Sequence, residues 1–268
     1  MAEQLGDASG TAARVALVMA ASRGLGRACA EALARGGHRL VVCARNPDGV
    51  DETVAALGAI GAEAVGVQAD VALPQELEAV FQKADKAFGR LDVLVANAGG
   101  PPPGGFMDAS DHQWQLAFEL TLMSAVRATR LAIPRMRRNR YGRIVVIGSS
   151  SVKQPIDNLV LSNVFRPALL GMIKTVAREV AQDGITANIV SPGRIDTDRV
   201  RTLDEHRAKA QGTSYEEVRQ SSERSIPAQR YGKPEDVGAV VAFLASEAAG
   251  YVTGQSVLVD GGMVSALP

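Results

Sequence analysis

Residues 15–26 read VALVMAASRGLG, and this stretch decides the fold class. Its first five residues are apolar without interruption, which predicts a strand, Val15–Met19, that is covered on both faces. A turn containing glycine follows, and the helical spacing of apolar residues then predicts a helix from Gly24 to Arg35. A strand, a glycine turn and a helix in this order indicate the first unit of a parallel α/β sheet.

The same alternation of strand and helix continues along the chain. Further apolar runs predict strands at Leu40–Cys43, Ala64–Gln68, Val93–Ala96, Ile144–Ile147, Ala187–Val190 and Ser256–Val259. Longer segments with helical spacing lie between them, at Asp51–Gly58, Pro74–Phe88, Asp111–Arg138, Val160–Gln182 and Pro234–Ala245. This order predicts right-handed crossovers and an α/β fold, a doubly wound, seven-stranded parallel sheet of the Rossmann type with helices on both faces.

One domain is predicted, over residues 13–268, after a flexible polar tail at residues 1–12. No repeat and no linker divides it. Residues 194–233 form a polar, Arg- and Glu-rich insertion that is too long for a simple connector. The insertion follows the sixth strand, at the edge where open α/β sheets bind ligands. We expect it to be a lid over a substrate; the alternative is a solvated helical insertion.

Composition excludes several classes of function. The 29 Lys and Arg residues balance 29 Asp and Glu residues, so no basic field is present to hold nucleic acid or an anionic membrane. The apolar runs are strand-sized, far short of the roughly 20 residues of a membrane helix, and residues 1–14 lack the apolar core of a signal peptide. We therefore expect a cytoplasmic protein. Cys29 and Cys43 fit core positions, and the three histidines show no metal-ligand spacing, so no metal site is predicted.

Short motifs stand at the ends of the predicted strands. They are the turn Ala20–Gly26, Asp70-Val71, Asn97-Ala98-Gly99, Gly148-Ser149, Pro192-Gly193 with Ile195 and Thr197, and the segment from Val252-Thr253-Gly254 to Asp260-Gly261-Gly262. With these motifs the sequence resembles the short-chain dehydrogenase/reductase family, and within it the ketoacyl-carrier-protein reductases. The resemblance covers about the whole globular chain, and the motifs in this order are jointly specific.

The resemblance implies a dinucleotide site. Glycines let the backbone of such a turn approach a pyrophosphate, and the helix that follows offers free N–H groups and the positive end of its dipole. The implied contacts are the turn with Ser22, Gly24 and Gly26 at the pyrophosphate, Asp70 and Val71 at the adenine, Asn97, Ala98 and Gly99 at the adenosine ribose, and Pro192, Gly193, Ile195 and Thr197 at the nicotinamide.

The end of the second predicted strand favours NADP(H) over NAD(H). It reads Ala44-Arg45, with no carboxylate to accept hydrogen bonds from both ribose hydroxyls of NAD. Arg23 and Arg45 instead predict a clamp of two guanidinium groups on a 2′-phosphate.

The glycine turn departs from the family pattern at its first positions. Met19-Ala20 stands where the family has Thr-Gly, and Ala96 stands where the family often has an asparagine. The two positions that form one polar contact between neighbouring loops in the family are therefore both apolar in this chain. We interpret this as a repacked contact between the two loops, which predicts that cofactor binding is retained but weakened.

The catalytic positions depart further. The family reduces carbonyls with a tyrosine, a lysine four residues later and a serine, often with a supporting asparagine. Flanking motifs fix the register: Ser162 lies thirteen residues after Ser149, Arg166 lies four residues after Ser162, and Thr121 takes the asparagine position. The spacing of four places Ser162 and Arg166 on one helix face.

This pair is incapable of the usual proton transfer. An aliphatic hydroxyl is a far weaker acid than a phenol, and arginine stays protonated at working pH. The candidate catalytic residues are therefore Ser149, as a donor to an oxyanion, and Ser162 with Arg166, as an electrostatic clamp, with protons supplied by water or another residue. Tyr215 in the lid is a second source of a phenol, although a packing role is the stronger interpretation. Lys153 and Asp157 are further candidates, for which solvated loop charges are the stronger interpretation.

Three hypotheses for function follow. The first is an atypical NADP(H)-dependent oxidoreductase acting on a carbonyl or alcohol. The second is a non-redox enzyme, such as a dehydratase, cyclase or isomerase, in which Arg166 stabilises an enolate. The third is a catalytically silent binding subunit. In each case we expect a small-molecule ligand and a homo-oligomer, either dimer or tetramer, because the long helices Asp111–Arg138 and Val160–Gln182 form such contacts in relatives.

Overall fold

The computed structural model describes residues 13–266 of the chain, so the predicted tail at residues 1–12 lies outside the described part. Within that part, seven parallel strands form one sheet in the order β3-β2-β1-β4-β5-β6-β7. The strands are β1 Val15–Met19, β2 Arg39–Ala44, β3 Ala64–Gln68, β4 Val93–Ala96, β5 Gly142–Ile147, β6 Ile185–Pro192 and β7 Ser256–Val259. The predicted fold class is confirmed.

Helices connect the strands. They are α1 Gly24–Arg35, α2 Pro47–Ala59, α3 Pro74–Phe88, α4 Asp111–Ala117, α5 Ser124–Asn139, α6 Val160–Val180, α7 Asp198–Gln211, α8 Tyr215–Ser225 and α9 Pro234–Ala245. A π-helical turn, Phe118–Met123, joins α4 to α5, and short 3₁₀ turns cover Ser150–Val152 and Ala181–Asp183.

Two apolar layers cover the sheet and explain why its central strands are apolar throughout. In β1, Leu17 and Met19 pack with α3, α5 and α6, whereas Ala16 and Val18 face the other way and pack with α1, α2 and α9. Successive strand side chains point to opposite faces, so a strand between two helical layers has no polar face.

The strand order reverses between β1 and β4, which both lie at the centre of the sheet. In open α/β sheets the crevice outside the carboxyl ends of strands at such a switch point is the usual ligand site. The sheet therefore gathers the motifs that follow β1, β4, β5 and β6 at one edge.

Two predicted helices differ from the structure. The second begins at Pro47 rather than Asp51, because Asn46 is extended and proline at the first helical position is already fixed in a helical φ. The segment predicted as one helix over Asp111–Arg138 is divided into α4, the π-turn and α5. The π-turn contains Thr121, and such turns are frequent at functional sites.

The insertion at residues 194–233 contains two helices, α7 and α8. Thr197 accepts a hydrogen bond from the Val200 amide at 3.4 Å and so caps the start of α7. A capping box between Ser214 and Glu217 starts α8. A parallel bridge between Ile195 and Gly232 joins the two ends of the insertion.

Residues 13–266 lack two kinds of feature. No helix there combines the length and the apolar character needed to cross a bilayer. No group of three or more His, Cys, Asp and Glu side chains there is placed to hold a metal ion. Cys29 and Cys43 are buried free thiols, and burial raises the pKa of each thiol to about 12.

Candidate active site

The glycine turn, residues 20–26, is held by close backbone packing. A Cβ atom on Gly26 would lie 2.2 Å from the carbonyl oxygen of Ala20, so only glycine fits this position. Gly24 has a φ of +55°, in the left-handed region that favours glycine. The side-chain amide of Asn97 donates to the Ala20 oxygen at 3.3 Å and links the turn to the end of β4.

The first position of this turn is strained. Ala20 has a φ of +49°, a conformation in which its Cβ crowds its own backbone. Its neighbour Met19 is fully buried and belongs to the same apolar cluster as Ala96 at the end of β4. Apolar packing therefore fills the joint between the two loops, while the backbone keeps the shape that a glycine would adopt freely.

The glycine turn and the start of α7 face each other. A Cβ atom on Gly24 would lie 3.7 Å from Cγ2 of Thr197. Arg23, which precedes α1, is extended, and no side chain among the described residues caps that helix. The first N–H groups of α1 therefore remain available to an acceptor that enters between the turn and Thr197.

The two arginines at this edge each lie near a carboxylate. Arg23 Nη1 is 3.1 Å from Asp198 Oδ2, and Arg45 Nη1 is 3.9 Å from Asp70 Oδ2. The arginine side chains are 78% and 74% exposed, respectively. Exposed ion pairs contribute at most about 1 kcal/mol, so a phosphate is able to displace either carboxylate.

The other predicted cofactor residues lie at the ends of β3, β4 and β6. Asp70 Oδ1 accepts from the Ala72 amide at 3.0 Å, and Val71 is in the core. Asn97 is buried, Ala98 is half-buried and Gly99 is exposed. Pro192 and Ile195 are buried, whereas Ser22, Gly193 and Thr197 are half-buried. These residues thus lie at the carboxyl ends of their strands, at one edge of the sheet.

A cluster of hydroxyls and one guanidinium lies after β5 and on α6. We name it the hydroxyl–arginine cluster; it consists of Ser149, Ser151, Ser162 and Arg166. Ser149 Oγ accepts from the Ser151 amide at 3.2 Å, which leaves its O–H free to donate elsewhere. Ser151 Oγ lies 3.4 Å from Ser162 Oγ, and both hydroxyls are buried.

Arg166 is the buried cation of this cluster. Its side chain is inside the protein, with the residue only 7% exposed. Nη1 donates to the Ile147 carbonyl oxygen at 2.6 Å, and Nε has no partner among the described residues. Burial, followed by the charge of Arg199, lowers the pKa of Arg166 from 12.5 to about 10. The guanidinium therefore stays charged at neutral pH.

Two residues of this region were not among the candidates predicted from the sequence. Ser151, rather than Ser149, contacts Ser162, and the run of three serines after β5 was the available signal. Arg199 at the start of α7 donates to the Pro101 carbonyl oxygen after β4, and burial lowers its pKa. The sequence feature that could have indicated Arg199 is its position two residues after Thr197.

The remaining sequence candidates are engaged elsewhere or lie on the surface. The Tyr215 hydroxyl accepts from Arg219 Nη1 at 3.3 Å, within the insertion. Lys153 is half-buried and Asp157 is exposed in the loop before α6. Thr121 is buried in the π-turn, and no described residue bonds to its Oγ1.

Known proteins of similar sequence are reductases. Residues 19–264 match a family model described as enoyl-(acyl carrier protein) reductase. The chain is 37% identical over 253 residues to 3-oxoacyl-[acyl-carrier-protein] reductase FabG of Escherichia coli, covering 93% of this chain and 97% of that protein. The two descriptions name different reductions, of an enoyl and of an oxoacyl group, and thus agree on the family more than on the substrate.

Solved structures give the same result. Actinorhodin polyketide ketoreductase, a variant with NADPH, has a TM-score of 0.91 at 33% identity, covering 94% of this chain and 97% of that one. L-Sorbose reductase of Gluconobacter frateurii, in complex with NADPH and L-sorbose, has a TM-score of 0.91 at 35% identity, covering 96% and 99%. The present chain belongs to the short-chain dehydrogenase/reductase family.

Proposed function

We propose that this protein is an NADP(H)-dependent oxidoreductase that acts on a carbonyl or alcohol without a tyrosine proton donor on α6. One observation carries the proposal. The glycine turn approaches Thr197 at the switch point of the sheet, and the hydroxyl–arginine cluster follows β5 at the same edge. We call the crevice outside these strand ends the groove; a dinucleotide bound along it would place its reactive ring at that cluster.

The residues of the groove fit NADP(H). The uncapped start of α1 supplies N–H donors for the pyrophosphate, and Gly26 permits its close approach. No carboxylate follows β2 to bond the ribose hydroxyls of NAD, whereas Arg23 and Arg45 are both exposed at this edge for a 2′-phosphate. The residues that would hold the cofactor are the cofactor-binding residues predicted from the sequence, of which Ser22 is the first and Thr197 the last.

The chemistry divides between the cofactor and the cluster. Bound NADPH would supply a hydride to a carbonyl carbon, so that ketone, NADPH and H⁺ would become alcohol and NADP⁺. Ser149 would donate its free hydroxyl proton in a hydrogen bond to the carbonyl oxygen. Arg166 would stabilise the negative charge on that oxygen until it takes up a proton from the solvent.

The insertion acts as a lid in this proposal. Its first helix reaches both sides of the groove, since Asp198 contacts Arg23 and Arg199 contacts the loop after β4. Its base is fixed by Asp204, which accepts from Tyr231 at 2.8 Å and pairs with Arg194. A lid with a fixed base is suited to exclude water from a hydride transfer.

We also propose a homo-oligomer. Leu116 on α4 and Val164 on α6 are 54% and 48% exposed, and between them Trp114 and Phe165 stack edge to face at 5.8 Å. Such an apolar face on the two helices fits burial against a second copy. The cytoplasmic location remains a prediction.

The second candidate is a non-redox enzyme that forms an enolate. Its support is Arg166, a buried cation whose Nε has no partner within residues 13–266. A fixed guanidinium stabilises an enolate oxygen as well as an alkoxide. Turnover of a carbonyl substrate without any change in nicotinamide absorbance would favour this candidate.

Cofactor titration tests the proposal. We expect NADPH to raise the melting temperature more than NADH does. If the purified, folded protein responds to neither nucleotide, the oxidoreductase hypothesis is contradicted. The hypothesis of a catalytically silent binding subunit would then remain. A panel of ketones then tests NADPH oxidation.

A further inference from the structure

Arg166 lacks the partner that its burial calls for. Its only hydrogen bond is to the neutral oxygen of Ile147, and no carboxylate of residues 13–266 lies within 4.0 Å of it. A buried cation without a counter-ion is costly. The arginines of four structural pairs show the contrast, since each has a carboxylate: Arg90 with Asp92, Arg127 with Glu119, Arg135 with Asp85 and Arg194 with Asp204.

Arg143 provides a second contrast, because it is also buried without a paired carboxylate. Its guanidinium is nevertheless satisfied, since it donates to the carbonyl oxygens of Gly142, Gly184 and Ser246 and lies over the Tyr141 ring. Arg166 differs in that its Nε remains without any partner in the described chain. A structural role therefore accounts for Arg143 and leaves part of Arg166 unexplained.

Arg199 brings a second unneutralised charge to the same place. It contacts the loop after β4 through the Pro101 oxygen, and a Cβ atom on Gly100 would lie 3.0 Å from its Nε. The described residues offer its guanidinium no carboxylate within 4.0 Å either. Arg166 donates to Ile147 at the end of β5, and Arg199 donates to Pro101 after the neighbouring strand β4, so both charges lie at the same edge of the sheet. In keeping with this placement, the charge of Arg199 adds to the lowering of the pKa of Arg166.

We propose that Arg166 and Arg199 together bind a carboxylate of the substrate, so that the substrates are oxo acids and the corresponding hydroxy acids. This inference rests on the proposed oxidoreductase function. The two guanidinium groups gain the counter-ion that the protein does not supply, and guanidinium matches carboxylate in geometry. Reduction then converts an oxo acid, NADPH and H⁺ to a hydroxy acid and NADP⁺.

The position of Arg199 favours the substrate over the phosphates of the cofactor. Asp198 reaches Arg23 beside the glycine turn, whereas the next residue, Arg199, reaches Pro101 after β4, the strand that pairs with β5, whose last residue Ile147 accepts from Arg166. The carboxylate site is thus at the hydroxyl–arginine cluster rather than at the pyrophosphate groove. Since Arg199 belongs to the lid and Arg166 to α6, the substrate carboxylate also links the lid to the core.

The test compares acids with their neutral amides. We expect the native protein to reduce short oxo acids with a kcat/KM at least about a hundredfold above that of the matching oxo amides, because one desolvated charge pair is worth that much. Arg199→Gln keeps a donor for Pro101 but removes the charge, and should lower the value for acids about thirtyfold, far more than the value for amides. Arg199→Lys should recover part of the loss. Arg207→Gln, an exposed site on the same helix, is the matched control.

Two binding measurements complete the test. If Arg199→Gln weakens NADPH binding by the same factor as acid turnover, the arginine serves the cofactor phosphates, and the inference is wrong. Equal kcat/KM for acids and amides in the native protein would also overturn it. If NADPH does not bind at all, the proposed function fails separately; calorimetric titration with an unreactive dicarboxylate still decides whether the arginine pair binds an anion, by comparison with Arg199→Gln.

Discussion

The glycine turn after β1 and the hydroxyl–arginine cluster after β5 lie at the same edge of the sheet, but their polar groups are satisfied differently. At the turn, Gly26 and Ala20 are fixed by backbone packing, and the charged side chain of Arg23 is exposed and paired with Asp198. In the cluster the side chains themselves are buried, and Arg166 has no counter-ion within residues 13–266. The first region depends on backbone shape, and the second depends on the chemistry of particular side chains.

Because of this difference, we expect the two regions to tolerate different amino-acid substitutions. Side chains at a site made by the backbone can vary while binding is kept, as the apolar Met19 and Ala96 illustrate. A site made by buried side chains changes its chemistry with each substitution. The two regions therefore predict different results when they are altered.

The largest effect is expected from Gly26→Ala. The added methyl group would overlap the Ala20 carbonyl oxygen, so the turn must move, at a cost of about 3 kcal/mol of folding stability. We expect NADPH affinity to fall more than about a hundredfold. Gly58→Ala is the control, since a Cβ atom there meets nothing within 4 Å; it should leave binding unchanged. Intact NADPH binding in Gly26→Ala would break the distinction between the two regions.

The second prediction concerns the cluster. Ser162→Tyr combined with Arg166→Lys supplies a phenol and an amine at the catalytic spacing, and should raise ketone reduction roughly thirtyfold, within the range of general acid catalysis. The two single variants are the controls, and NADPH consumption is the measurement. Unchanged rates in a folded double variant would show that the crevice does not present a carbonyl to the cofactor.

The third prediction tests the exposed arginines of the turn. Arg23→Gln with Arg45→Gln removes two donors for a 2′-phosphate, so the preference for NADPH over NADH should fall about tenfold. The readout is the pair of dissociation constants. Arg35→Gln, at the other end of α1, is the control because Arg35 is likewise exposed and paired with an acidic residue, Glu31. An unchanged preference for NADPH over NADH would show that residues elsewhere select the cofactor.

The fourth prediction uses the pKa of Arg166, about 10 in the folded protein. The anion-binding form is the protonated one, so the affinity for an unreactive dicarboxylate should be constant from about pH 7 to 9 and fall about tenfold by about pH 11. The nearby Arg199 titrates in the same direction, since burial lowers its pKa too. A constant affinity up to about pH 11 in the folded protein would exclude Arg166 from anion binding.

The smallest effect is expected from Ala20→Gly. It relieves a φ of +49° and should stabilise the protein by about 1 kcal/mol, measured by denaturant unfolding. Ala21→Gly is the control, since Ala21 is buried and has no positive φ; it should destabilise instead. A destabilised Ala20→Gly variant would show that the Ala20 methyl group contributes packing that outweighs its strain.

The strands of the sheet were predictable because each one is marked by a run of consecutive apolar residues. Val15–Met19 and Ala64–Gln68 were predicted to the residue, since covered strands need no partner to be recognised. The π-turn at Phe118–Met123 was not predicted, because its sequence contains neither glycine nor proline and keeps helical spacing. Such a turn depends on the packing of α4 and α5 against α6.

The candidate site was predictable where a motif follows a strand, and less so elsewhere. Ser149, Ser162 and Arg166 were placed by the family resemblance and the register of its flanking motifs, whereas their environment was not. Arg199 on α7 and Arg166 on α6 are brought to the same edge of the sheet by their contacts with Pro101 and Ile147, and no local pattern indicates this. The lid role of residues 194–233 and the contacts of the cofactor residues remain predictions.

The bridge between Ile195 and Gly232 has an evolutionary consequence. Hydrogen bonds from the Asp196 amide to the Gly232 oxygen, at 2.8 Å, and from the Gly232 amide to the Arg194 oxygen, at 2.9 Å, hold the ends of the insertion side by side. Ends that already meet make the entropy of closing the loop only weakly dependent on its length. The segment between them can therefore lengthen, shorten or change its charges between paralogues while the sheet beneath it keeps its structure.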